Sequence, residues 1–222
     1  MRTQSLAWLL VCTWLLASAP PSGPSGLLLA GGIGLSFVLL VGLLRAGRRI
    51  ADVATIARLS ALALLVATAG PAATLGWWCG AVAVVFADLL DGALARRFGG
   101  SDAGAVLDME ADQLVVFGLA ATLVRQGGGA HVLVLPAMRW MFVLASWWLG
   151  IPAHEPKPVD GDNRRGRLVC AAVLVALLLA LAPGVPRAGG DVATAMAVLL
   201  LAWSFSGDAR HLLARRRARS VA

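Results

Sequence analysis

The sequence predicts an all-α fold, a polytopic bundle of membrane helices. Three observations predict it. Of the 222 residues, 59% are apolar and only 14% charged, with a mean hydropathy of +0.80, whereas a soluble domain runs near half apolar and a quarter charged. The apolar residues fall into long runs, and a bilayer core of roughly 30 Å needs about 20 such residues in a helix. The basic residues fall between alternate runs, as the positive-inside rule requires. Disorder is excluded by the same composition. The three cysteines, Cys12, Cys79 and Cys170, stand apart inside apolar runs, so they read as small hydrophobes and not as a disulfide framework.

Eight runs qualify as candidate spans: 5–19, 26–45, 54–70, 73–95, 104–125, 130–150, 167–183 and 189–206. The first is short, follows Arg2 and ends in Ala17-Ser18-Ala19, the pattern of a signal-peptide cleavage site. Pro20 directly after it favours a retained helix. With the N-terminus cytoplasmic and every run crossing, the cytoplasmic segments are 1–4, 46–53, 96–103, 151–166 and 207–222. Together with Arg45, Arg58 and Arg167, each at or just inside the end of a run, they hold all but Arg125, Arg139 and Arg187 of the 19 basic residues. The net charge of +7 therefore reads as orientation, with no nucleic-acid partner. Trp77-Trp78 and Trp147-Trp148 lie near run ends, where interfacial tryptophans belong.

Half of the twelve acidic residues (Asp88, Asp91, Asp102, Asp108, Glu110 and Asp112) fall between positions 88 and 112. Carboxylates at membrane depth are costly unless paired or bound to a cation, so this is the expected working part. At about 100° per residue, Asp88, Asp91, Gly92 and Ala95 share one helix face, and Gly104, Asp108 and Asp112 share another. The short turn 97–103 is expected to make the two helices antiparallel neighbours, with four carboxylates converging at the cytoplasmic surface. Hard oxygen ligands without His or Cys favour Mg²⁺ or Mn²⁺, and two divalent ions balance four negative charges. Such a pair clamps a pyrophosphate and stabilises in-line displacement. Arg96 is placed to meet a phosphate oxygen.

These residues spell Asp88-x-x-Asp91-Gly92-x-x-Ala95-Arg96, then Gly104-x-x-x-Asp108-x-x-x-Asp112. The pattern resembles the signature of the CDP-alcohol phosphotransferase (CDP-alcohol phosphatidyltransferase) family of phospholipid synthesis. Two departures stand in it: Arg96 and Gly104 are separated by one residue fewer than is usual, and Asp52-x-x-Thr55-x-x-Arg58 replaces Asn-x-x-Thr-x-x-Arg. The resemblance implies a dimeric six-helix core that transfers a substituted phosphoryl group from a CDP-linked lipid to a small polar alcohol, releasing CMP. It divides the chain into a transmembrane extension of one or two helices (1–46), a six-helix catalytic domain (47–207) and a basic cytoplasmic tail (208–222). It further implies that Asp88, Asp91, Asp108 and Asp112 hold two metal ions, that Asp112 is also the catalytic base, and that Thr55, Gly92, Ala95, Arg96 and Gly104 line the CDP site.

For the acceptor, the candidates are Arg139, inside an apolar run, and Arg164, Arg165 and Arg167 at the start of another. Two or more of these on substrate point to a phosphorylated alcohol, with glycerol 3-phosphate first and inositol phosphate or another polyol as the alternative. His131, His154 and His211 lack metal-ligand spacing. A different class, a small cation or proton transporter, needs carboxylates distributed along a path through the bilayer. Here they gather at one level. The expected place is the cell (inner) membrane, multi-pass, with the active site facing the cytoplasm.

Overall fold

The computed structural model describes residues 50–98, 102–148 and 163–221. The two N-terminal runs, the centre of the turn 97–103 and most of the loop 151–166 lie outside the described residues. Among those described are six α-helices and no strand: α1 (Ile50–Thr68), α2 (Leu75–Phe98), α3 (Asp102–Arg125), α4 (Val134–Trp148), α5 (Asn163–Ala180) and α6 (Arg187–Val221). A single 3₁₀ turn, Ala130–Leu133, leads into α4.

α1 has one continuous buried face. Thr55, Arg58, Leu59 and Leu62 are all nearly inaccessible and recur at the three-to-four-residue spacing of a helix stripe. This face packs along both α2 and α3, which meet α1 far more extensively than they meet each other. α2 and α3, expected as antiparallel neighbours, do touch each other, but more of each packs against α1. Small residues let α1 come close. A Cβ added at Gly80 of α2 would lie 3.0 Å from the Leu65 side chain, and one at Gly118 of α3 would lie 3.2 Å from both Leu62 and Val66.

α3 is the centre of the bundle, touching α1, α2, α4 and α5. Ala111, Leu114, Val115, Leu119 and Ala120 supply its share of the core, against Val132, Leu135, Val173 and Leu177 from the second half. Its end is sharply set. Gly127 takes a φ of +87°, and the Gly128 and Gly127 N–H groups donate to the carbonyls of Leu123 (2.9 Å) and Val124 (3.0 Å). That is a Schellman stop, for which glycine at the left-handed position is the favoured residue.

The loop after this stop is pinned to the start of α6. The Gly129 N–H donates to Asp191 Oδ1 at 3.0 Å. Thr194 Oγ1 lies 3.0 Å from the Gly190 carbonyl and shares a 2.9 Å hydrogen bond with His131 Nε2. His131 and Asp191 thereby acquire structural work that their sequence surroundings do not announce. Trp77 and Trp78 also do more than face an interface. Their indole N–H groups donate to the carbonyls of Leu65 on α1 and Leu178 on α5, each at 2.8 Å.

The expectation of repeated full-length spans is met by one helix among the described residues. Arg187–Gly207 has 21 residues and a mean hydropathy of 1.5, and shorter apolar stretches occupy Val53–Val66, Leu75–Asp88 and Ala130–Phe142. The reason is visible in α2 and α3, whose facing ends carry the acidic cluster and so interrupt the apolar run. α6 also continues as helix through the basic segment to Val221, giving it a length of about 52 Å at 1.5 Å per residue. Val192, Met196, Leu199 and Trp203 form an exposed apolar stripe along it.

Widening the α1–α3 contact should loosen the bundle. Gly118→Val pushes β-branched bulk into Leu62 and Val66, and overpacking of this kind costs about 1–3 kcal/mol. The expected outcome is a lower unfolding midpoint of the purified protein in detergent, with helical content retained below it.

Candidate active site

The buried face of α1 ends in an arginine. The Arg58 side chain is 1% exposed, a position that a lone guanidinium reaches only when carboxylates meet it. Three do. Nη1 donates to Asp88 Oδ1 at 2.5 Å, Nη2 donates to Asp112 Oδ1 at 2.8 Å, and Asp108 Oδ1 lies 3.6 Å from Nη2. One side chain from α1 therefore ties α2 to α3.

The carboxylates lean outward from this floor. Their side chains are 42% (Asp88), 43% (Asp108) and 50% (Asp112) exposed, while one oxygen from each falls within 4.8 Å of the others. Asp108 Oδ1 is itself buried and, beyond the 3.6 Å ion pair with Arg58, accepts no hydrogen bond from the described residues. A buried carboxylate oxygen without a donor is costly, and a bound cation is the partner that removes the cost. The donor set is all carboxylate oxygen, as hard divalent ions require. The residues present therefore fit such an ion.

Of the other sequence-predicted residues, Asp91, Gly92, Ala95 and Arg96 lie on α2 within two turns of Asp88, and Gly104 lies on α3 one turn before Asp108. The side chains at 91, 95 and 96 are outside what the structure describes. Thr55 is buried one turn before Arg58 on the same face of α1. Arg139 is half-buried on α4. Arg165 stacks over Trp203 of α6, 3.6 Å from the ring centroid, which ties the start of α5 to α6. Arg167 is exposed, and the side chain of Arg164 lies outside the described set.

The sequence reads Arg58 as an orientation-setting arginine and as the last position of Asp52-x-x-Thr55-x-x-Arg58, without a place among the site residues. Its signal was present: an arginine inside an apolar run, one turn beyond Thr55, is as expensive as Arg139 and calls for a partner.

The family model of the CDP-alcohol phosphatidyltransferases matches residues 48–206, well over half of the chain and all three helices of this cluster. The chain belongs to the CDP-alcohol phosphatidyltransferase family. No curated protein and no solved structure matches it. CDP-alcohol phosphatidyltransferases transfer substituted phosphate groups in phospholipid synthesis, use divalent metal ions and are generally integral to membranes. The family implies a CDP-alcohol donor and an alcohol acceptor for this enzyme.

Neutralising one carboxylate tests how far the cluster holds the helices together. Asp88→Asn leaves Arg58 with Asp112 and Asp108 and replaces a charged acceptor by a neutral one. A destabilisation of about 1–2 kcal/mol is expected, read as a lower unfolding midpoint with divalent ions chelated.

Proposed function

We propose that this transferase moves a phosphatidyl group from CDP-diacylglycerol to the hydroxyl of a small polar alcohol, glycerol 3-phosphate first, and releases CMP. The observation that carries this reading is the convergence of Asp88, Asp108 and Asp112, three of the four signature carboxylates, with their oxygens within 4.8 Å. Two Mg²⁺ or Mn²⁺ ions held by Asp88, Asp91, Asp108 and Asp112 would polarise the pyrophosphate and stabilise charge on the departing CMP.

The chain's own residues do the rest. Asp112 is engaged by Arg58 through Oδ1 and is half exposed, which leaves the carboxylate open to an acceptor hydroxyl. It takes the hydroxyl proton as the acceptor oxygen bonds to the lipid-side phosphorus. The bond from that phosphorus to the CMP oxygen breaks, and CMP leaves with the electron pair. No covalent enzyme intermediate is needed. Gly92, Ala95 and Gly104 leave room for the nucleotide, Arg96 meets a phosphate oxygen, and Thr55 completes the donor side beside Arg58. On the acceptor side, Arg139, Arg164, Arg165 and Arg167 supply positive charge for a phosphorylated alcohol. The alternative acceptor is inositol phosphate or another polyol phosphate.

The exposed stripe Val192, Met196, Leu199 and Trp203 on α6 supports a bilayer location, since apolar surface of this extent marks a lipid or protein contact. With the basic segments cytoplasmic, the carboxylates open to the cytoplasm. The assembly is a homodimer in this reading.

The test is CMP release by purified protein from CDP-diacylglycerol with Mg²⁺ or Mn²⁺ and a panel of polyol, polyol-phosphate and serine acceptors. Release dependent on both metal and acceptor is expected, with glycerol 3-phosphate the best acceptor. Asp112→Asn should lower turnover by about 10²-fold or more while the protein still folds. Undiminished turnover removes Asp112 as the base. Metal-dependent ion flux without CMP release from any acceptor would instead favour a transporter.

A further inference from the structure

We infer that Arg58 is a built-in counter-cation of the metal site, holding the carboxylates together when no ion is bound and adding a fixed positive charge when ions are present. The inference rests on the proposed metal reading. It starts from a contradiction in the acidic cluster: three carboxylates within 4.8 Å of one another repel, yet helices α1, α2 and α3 converge on that point. The guanidinium resolves it, with Nη1 on Asp88 and Nη2 on Asp112 and near Asp108.

The burial pattern says that Arg58 is fixed and not displaced. Its side chain is 1% exposed while its partners are 42–50% exposed, so ions reach the cluster from the carboxylate side, opposite the floor. Arg58 is flanked by Leu59 and Leu62, both fully packed in the core. An ion therefore joins the guanidinium within one carboxylate shell.

This changes the charge balance. Asp88, Asp91, Asp108 and Asp112 with Arg58 carry three net negative charges, so two divalent ions do not merely neutralise the site. They leave one positive charge facing the anionic donor. Arg58 thus weakens each ion by like-charge repulsion and strengthens the hold on pyrophosphate. It acts through the carboxylates and the field, as a positioning residue.

The experiment measures Mn²⁺ binding and thermal unfolding of the purified full chain in detergent, for wild type, Arg58→Gln and Arg58→Lys. In Arg58→Gln the repulsion is gone, and Mn²⁺ should bind roughly tenfold more tightly. The metal-free unfolding midpoint should fall, and saturating Mn²⁺ should close most of the gap to wild type. Arg58→Lys keeps the charge but not the fork that bridges two helices, so its Mn²⁺ affinity should stay within about twofold of wild type while its metal-free midpoint falls. Arg58→Gln that folds only with Mn²⁺ is the same result in stronger form.

Equal or weaker Mn²⁺ binding by folded Arg58→Gln overturns the inference, as does a stability deficit that Mn²⁺ leaves untouched. If Arg58→Gln is unfolded with and without Mn²⁺, the inference is overturned too, because the ion then fails to replace the guanidinium. Wild-type protein that binds no Mn²⁺ defeats the metal reading itself, an outcome separate from the others.

Discussion

A buried guanidinium has to be met by carboxylates, and this requirement organises the described half-bundle. Arg58 reaches partners on α2 and α3 across sequence separations of 30 and 54 residues. An arginine at 1% exposure with one partner missing is a serious loss, since breaking a buried pair costs about 3–5 kcal/mol in full burial. Here the acids are half open, so the cost is softened by solvent, but the geometric demand remains. The site ends of three helices must meet at one level. The same constraint explains why α1 packs along both its successors and why glycines stand at 80 and 118.

The two ends of the bundle are held by different physics. At the site end, charge brings helices together and leaves open polar surface. At the other end, neutral hydrogen bonds close the structure: the Schellman stop of α3, Asp191 on the Gly129 N–H, and His131 on Thr194. Thr194 is fully buried, and a polar group there is tolerated because each of its bonding capacities is satisfied. Between the ends lies aliphatic packing around α3. A catalyst that exchanges ions and nucleotide at one end gains from a closed opposite end, because opening near the site then need not loosen the helix order.

The helical class and the acidic site were legible in the sequence because both rest on local spacing. Asp88 with Asp91, and Gly104 with Asp108 and Asp112, are set by helical periodicity alone. The observed ends of α3, Asp102–Arg125, lie within two residues of the run read from hydropathy. What was not legible depends on distant neighbours. The apolar run around Arg58 shows that this arginine needs a partner, but not that the partners are aspartates on two other helices. The packing of α1 along both α2 and α3, the carbonyl partners of Trp77 and Trp78, and the work of His131 are of the same kind. Hydropathy also misjudged continuity: the charged residues that make the site shorten the apolar stretches of the helices that bear it, while α6, free of that burden over Arg187–Gly207, keeps a full-length one.

The departure at Asp52 and the burial of Thr55 and Arg58 belong together. All three lie on α1 at intervals of three, and Thr55 and Arg58 share its buried face. At its inner end this side turns into Leu59 and Leu62, fully packed against the core. The polar part is thus anchored by the apolar part, and α1 acts as a rod whose polar end carries the charge. Such a rod can present a cation to neighbouring carboxylates without the entropy cost of ordering a free side chain. In the proposed reaction that fixed charge needs no reorganisation as the pyrophosphate bond breaks, which is the condition under which electrostatic stabilisation is most effective.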